Sequence, residues 1–216
     1  MNLSKEHLRL YAITDRKWCT DNTLENQIEA AIAGGVTILQ LREKNTDFDN
    51  FLSLALSVRK ITAKFNIPLI INDNVDIAIK CNADGVHVGQ NDSEIAEIRK
   101  RWGNDKIIGV SVKTVEAALL AEKQGANYLG VGAMFSTSTK SDTSRVSFET
   151  LKEICNTVKI PVVAIGGITE SNMTQLANSQ ICGIATVSAI FAAGSLDEIK
   201  IASCNLRKKS EDLFAN

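Results

Sequence analysis

Several features that would settle the chain's partners are missing from its 216 residues. Charge of one sign is the first: 24 basic side chains stand against 25 acidic ones, a formal net charge of −1. Nucleic acid and anionic membrane surfaces are therefore not expected partners, and an anionic ligand must be met by a local basic cluster. No apolar run approaches the roughly 18 residues a membrane span requires. The segment Met1 to Arg9 lacks the basic start and apolar core of a secretory signal, so a cytoplasmic location is expected. Clustered cysteines are absent too. Cys19, Cys81, Cys155, Cys182 and Cys204 are odd in number and far apart, which fits neither a disulfide framework nor a zinc knuckle. They read as small core hydrophobes in a reducing compartment.

What is present is a steady alternation of short aliphatic runs with longer amphipathic ones. Strands are predicted at Leu10–Thr14, Thr37–Leu41, Pro68–Asn72, Gly85–Val88, Ile107–Val112, Tyr128–Ala133, Pro161–Ile165 and Gly183–Val187. Most are continuously apolar, as parallel strands covered on both faces are. Helices are predicted at Leu24–Ala33, Phe48–Phe65, Val75–Lys80, Ser93–Trp102, Thr114–Gln124, Phe148–Val158 and Ser171–Asn178, with a closing helix over roughly 196–213. Thr23, Ser93, Ser147 and Ser171 stand where helices should begin. Gly34-Gly35, Gly103, Gly125 and Asn82 or Asn178 stand where they should end. The two prolines, Pro68 and Pro161, fall where strands start. Eight strands, each followed by a helix, predict a single-domain α/β protein of the (β/α)8 TIM-barrel type. The barrel core spans roughly residues 9–192. The same alternation also suits an open doubly wound sheet, but no Gly-x-Gly-x-x-Gly turn follows the first strand.

Barrel active sites form where strands run into helices at their C-terminal ends. The second strand leaves through Gln40-Leu41-Arg42-Glu43-Lys44, and strand alternation puts Gln40, Arg42 and Lys44 on the face opposite Leu39 and Leu41. An amide and two cations on one face predict anion binding. Asp73 ends the third strand and Asp92 follows the fourth; neighbouring in a barrel, they suit Mg²⁺, which takes one or two carboxylates and leaves the rest to water and phosphate oxygens. Capping of the next helix is the alternative role for Asp73. The segment from Phe135 to Arg145 brings Thr137, Thr139 and Lys140, hydroxyl and ammonium donors for phosphate oxygens. Gly166-Gly167 after strand seven and Val187-Ser188 after strand eight occupy the place where barrels often hold a phosphate on backbone amides. Two anion sites around one mouth imply two phosphorylated reactants. His87, within strand four, reads equally as a packed or a functional histidine. Trp18, Phe135 and Ile168 are candidates to stack on a heterocycle or to pack the rim.

In order, Gln40-Leu-Arg-Glu-Lys44, Ile71-Asn-Asp73, Gly85-Val-His-Val-Gly-Gln90 with Asp92, Gly109-Val-Ser111, Thr137-Ser-Thr-Lys140, Ala164-Ile-Gly-Gly-Ile-Thr169 and Val187-Ser-Ala-Ile190 resemble the thiamin-phosphate synthase family. The resemblance implies a Mg²⁺-dependent transferase joining hydroxymethylpyrimidine diphosphate to a thiazole phosphate. It assigns Gln40, Arg42, Lys44, Asn72, Ser111 and Lys140 to the pyrimidine diphosphate, with Arg42, Lys44, Ser111 and Lys140 the catalytic set. Asp73 and Asp92 would take Mg²⁺; Thr137, Thr139, Gly167, Val187 and Ser188 would meet the thiazole phosphate. The chain departs from the family pattern at Ala133 and Ser136, where prolines are usual, at Asn74, where a second Asp is common, and at Lys113, where His is frequent. Three rival readings remain: a thiazole tautomerase, a phosphosugar aldolase or epimerase, and a non-catalytic sensor of thiamin phosphate. The partners are small molecules; monomer and homo-oligomer both stay open.

Overall fold

The computed structural model describes residues 3–19, 22–89, 95–136 and 144–215. Eight parallel strands follow one another in chain order around a closed barrel. They are β1 Leu10–Ile13, β2 Ile38–Leu41, β3 Leu69–Asn72, β4 Gly85–Val88, β5 Ile107–Val112, β6 Tyr128–Val131, β7 Val162–Ile165 and β8 Gly183–Thr186. Pairing of Leu10 with Ile184 closes β8 on β1 and excludes the open sheet. The helices are α1 Leu24–Ala33, α2 Phe48–Lys64, α3 Val75–Lys80, α4 Ile95–Trp102, α5 Val115–Gln124, α6 Phe148–Thr157, α7 Ser188–Phe191 and α8 Leu196–Phe214. No helix among the described residues is long and apolar enough to cross a membrane.

Alternation along each strand sorts the core into two compartments. Outward residues such as Leu39, Leu41, Leu69, Ile71, Val86 and Val88 join a large cluster between barrel and helices. Inward residues Tyr11, Ile13, Ile38, Ile70, Ile107, Tyr128, Val163 and Ala185 fill the barrel itself. Pro68 and Pro161 sit one residue ahead of β3 and β7. They lack an N–H for the ladder, yet their carbonyls accept from Leu39 at 3.1 Å and Leu129 at 2.9 Å.

The helix starts follow the expected capping chemistry. Thr23 accepts from the Asn26 amide and Ser147 from the Thr150 amide, each satisfying a first-turn donor. Gly125 ends α5 in the left-handed conformation, φ 96°. Ser93 lies outside the described residues. Between β7 and β8 the expected helix over Ser171–Asn178 is only a 3-10 turn, Met173–Leu176, led by Asn172 and not Ser171. Polar side chains there bind the backbone instead of letting a helical ladder form: Asn172 Oδ1 accepts from Thr169 N at 2.9 Å, and Asn172 Nδ2 donates to Gly167 O at 2.9 Å. After β8 the chain adds the short helix α7 before α8.

Candidate active site

The C-terminal ends of the strands open on one face, and the polar residues collect there. Gln40, on the inward side of β2, is only 2% exposed. Arg42 follows at 8% exposed, its backbone N–H donating to Thr14 Oγ1 at 2.9 Å. Its Nε is buried with no hydrogen-bond partner among the described residues. A buried guanidinium N–H left without an acceptor is costly unless a ligand supplies one. Glu43 does not supply it: its side chain is buried on the other face of the strand end and its Oε2 pairs with Arg16 Nε at 2.9 Å. Burial pushes the Glu43 carboxyl up, and the Arg16 guanidinium opposes that shift. Lys44 is exposed at the rim.

Asn72 closes β3 and donates from Nδ2 to Asp73 Oδ2 at 2.6 Å. Asp73 is exposed, in the left-handed region at φ 60°, and its N–H donates to the His87 carbonyl at 2.9 Å. It does not cap α3. Asn74 does, its Oδ1 accepting from Ile77 N at 3.0 Å. Capping therefore gives no reason for Asp73, a non-glycine residue held at a sparsely populated backbone angle. Among the described residues no group of three or more His, Cys, Asp or Glu could cage a metal ion. A hard carboxylate at the rim is the kind of group that could hold Mg²⁺, which keeps most of its positions for water and phosphate oxygens. The second expected carboxylate, Asp92, lies outside the described residues, as do Thr137, Thr139 and Lys140.

On the opposite side of the mouth, Gly167 follows β7 with φ 64°. A Cβ there would lie 2.3 Å from the Ser136 carbonyl oxygen, so glycine allows the β6 and β7 loops to touch. Val187 and Ser188 open α7 immediately after β8. Lys113 Nζ reaches Ser144 Oγ at 3.3 Å. Of the proposed stacking residues, Ile168 is 1% exposed and belongs to the core, whereas Trp18 and Phe135 are half-buried.

The barrel interior holds a hydrogen-bonded series that the sequence did not reveal. Gln40 Nε2 donates to Tyr11 Oη at 2.8 Å, Tyr11 Oη meets Tyr128 Oη at 2.7 Å, Tyr128 Oη meets His87 Nδ1 at 2.9 Å, and His87 Nε2 meets Ser111 Oγ at 2.8 Å. Two expected ligands, Gln40 and Ser111, are thus joined through three residues that were not assigned to the site. Burial raises both phenol pKa values far above the ordinary tyrosine range. The available sequence signal was glycine inside strands. Gly109 and Gly130 make room for Tyr128 and His87 respectively.

A closed β/α barrel with a buried, incompletely satisfied guanidinium at its mouth, a rim carboxylate and a glycine-formed loop contact opposite defines an enzyme of the TIM-barrel class that holds anionic substrates. Comparison with known proteins makes the class specific. The thiamine monophosphate synthase family matches residues 10–190. The chain belongs to that family, and is a transferase. It is 54% identical over 189 residues to the thiamine-phosphate synthase of Ruminiclostridium cellulolyticum, covering 88% of this chain and 90% of that one. With the thiamine-phosphate synthase of Clostridium acetobutylicum it shares 48% over 202 residues, 94% and 96% of the two chains. The solved thiamine phosphate pyrophosphorylase of Pyrococcus furiosus superposes with a TM-score of 0.86 at 35% identity, over 97% of this chain and 98% of that one.

Proposed function

We propose that the chain joins hydroxymethylpyrimidine diphosphate to a thiazole phosphate, releasing thiamin phosphate and diphosphate. The observation that carries this reading is Arg42, a guanidinium buried at the end of β2 with its Nε lacking an acceptor among the described residues. Arg42 and Lys44 would meet the diphosphate, together with Lys140. Asp73 and Asp92 would hold Mg²⁺, which when bound adds positive charge where the leaving group gathers negative charge.

The bond that breaks joins the pyrimidine methylene carbon to a diphosphate oxygen, and both electrons leave with the oxygen. The aminopyrimidine ring spreads the resulting positive charge. The thiazole nitrogen then gives its lone pair to that carbon, and no proton needs to move. Such a step requires no nucleophilic side chain and no strong base. It requires cations fixed where negative charge grows, exclusion of water from the carbocation, and a thiazole held in line. Gly167, Val187 and Ser188, with Thr137 and Thr139, would hold the thiazole phosphate through backbone amides and hydroxyls. Gln40, Asn72 and Ser111 would orient the pyrimidine end. Five free cysteines agree with a reducing cytoplasm.

A tautomerase acting on one thiazole would have little use for Arg42, Lys44 and Asp73 together. The deciding experiment supplies purified protein with both precursors and follows thiamin phosphate. Product is expected with Mg²⁺ and is expected to vanish in excess chelator. Full turnover in chelator would remove the Mg²⁺ assignment. No product with Mg²⁺ and both precursors would remove the synthase reading.

A further inference from the structure

The interior series from Gln40 to Ser111 takes one inward residue from each of five strands: β2, β1, β6, β4 and β5. Proton counting gives it a direction. An amide nitrogen only donates, so Gln40 Nε2 makes Tyr11 Oη the acceptor. Each phenol keeps its single proton, because burial disfavours the phenolate. The Tyr11 proton therefore points to Tyr128 Oη, and the Tyr128 proton to His87 Nδ1. A ring nitrogen that accepts carries no proton, which puts the imidazole proton on Nε2, facing Ser111 Oγ. Ser111 accepts that bond and retains its own proton to give elsewhere.

We propose that this one-way hydrogen-bond chain holds His87 as the Nε2–H tautomer and turns the Ser111 hydroxyl into a dedicated donor toward the substrate. His87 is then a positioning residue, acting through Ser111. The inference rests on the reading of Ser111 as a substrate ligand. Run in reverse, the chain would direct the Ser111 proton into His87 Nε2. Only lone pairs would then face the substrate, and two acceptors in contact repel.

The surrounding backbone is shaped to keep the chain intact. A Cβ on Gly109 would lie 2.3 Å from Tyr128 Oη, and one on Gly130 would lie 3.2 Å from His87 Cε1. Both glycines sit inside strands, where a side chain normally strengthens the sheet, so their smallness serves the ring atoms beside them. Register places Gly109 opposite both His87 and Tyr128, and Gly130 opposite Ser111. His87 is 6% exposed and Gln40 2%, so water competes little for these bonds.

The chain contains two histidines, His7 and His87, so the His7→Gln protein labelled with nitrogen-15 histidine presents a single imidazole. At neutral pH, without substrate, its nitrogen–proton correlation spectrum is expected to show Nε2 protonated and Nδ1 bare. Tyr11→Phe leaves Tyr128 with only His87 to donate to, so that spectrum should persist. Tyr128→Phe removes the donor to Nδ1 and should give a mixture of tautomers. Protonated Nδ1 in the parent protein, or an unchanged spectrum and unchanged kcat in Tyr128→Phe, would overturn the proposal. Kinetics provides the second reading. His87→Leu should lower kcat about tenfold, the loss of one oriented hydrogen bond, with a smaller change in KM for the pyrimidine diphosphate. His87→Gln keeps an N–H at the Ser111 end and should recover most of that loss; equal losses in the two variants would reduce His87 to packing and defeat the proposal. If the parent makes no product at all, the functional reading fails, while the tautomer measurement still decides the direction of the chain.

Discussion

A side chain on Gly109 and the ring of Tyr128 cannot occupy the barrel together, since a Cβ would lie 2.1 Å from Tyr128 Cζ and 2.3 Å from its Oη. Gly109→Ala should therefore lower stability by about 2 kcal/mol, the usual scale for overpacking a core, measured by urea unfolding. If the collision is the cause, the loss shrinks when the ring is absent. Gly109→Ala combined with Tyr128→Leu should cost less than the two single changes added, by more than about 0.5 kcal/mol. Strict additivity would show that some other strain is responsible. The same contact explains what the sequence did not disclose at this scale. Gln40, Arg42 and Lys44 stood out as candidates because a polar residue within an apolar strand, and two cations continuing its alternation past Leu41, have few local explanations. Tyr11 and Tyr128 were not, because a tyrosine in a strand is ordinary and its partner is 117 positions away in the chain. Ser111 and Asn72 were reached only through resemblance, since nothing in their immediate sequence separates them from structural residues.

The strands were legible to within two residues at each end, the largest miss being β6, which stops at Val131 and not Ala133, because their continuous apolar character reflects burial on both faces. The segment between β7 and β8 was not, because apolar spacing over Ser171–Asn178 suggested a helix while Thr169 and Asn172 tied down its first turn. Capping also accounts for a departure from the family pattern. Asn74 stands where a second Asp is common, and its Oδ1 holds the Ile77 amide at the start of α3. Asp caps as well as Asn does, so Asn74→Asp should leave stability within about 0.5 kcal/mol of the parent. Asn74→Ala removes the acceptor and should cost about 1 kcal/mol. Equal urea midpoints for all three proteins would mean that α3 does not depend on this cap. Asp73 precedes the cap directly, so loosening α3 is also expected to weaken turnover more than the stability change alone accounts for.

At the scale of the whole molecule, the last helix closes a barrel that would otherwise expose its flank. One face of α8 buries Ile199, Leu206 and Phe214, and Ser203 and Ser210 on that face are wholly enclosed. Ser210 Oγ donates to the Arg9 carbonyl at 2.7 Å, ahead of β1. Close approach to α1 depends on Gly34, where a Cβ would lie 2.4 Å from the Lys200 carbonyl oxygen. Burying three large apolar side chains contributes on the order of 5–9 kcal/mol, a large share of the 5–15 kcal/mol that typically separates folded from unfolded domains. The helix is also well begun, since Ser195 and Glu198 form a reciprocal capping box. Removing residues from Ser195 onward should therefore abolish the cooperative urea transition and leave a chain that aggregates, whether or not substrates are present. A truncated protein that unfolds cooperatively at the parent's midpoint would show that the eight strands and the preceding helices are stable without α8. The opposite perturbation is gentler: Gly34→Ala should push α8 outward and lower the midpoint without removing cooperativity, because the apolar face stays covered while its packing loosens.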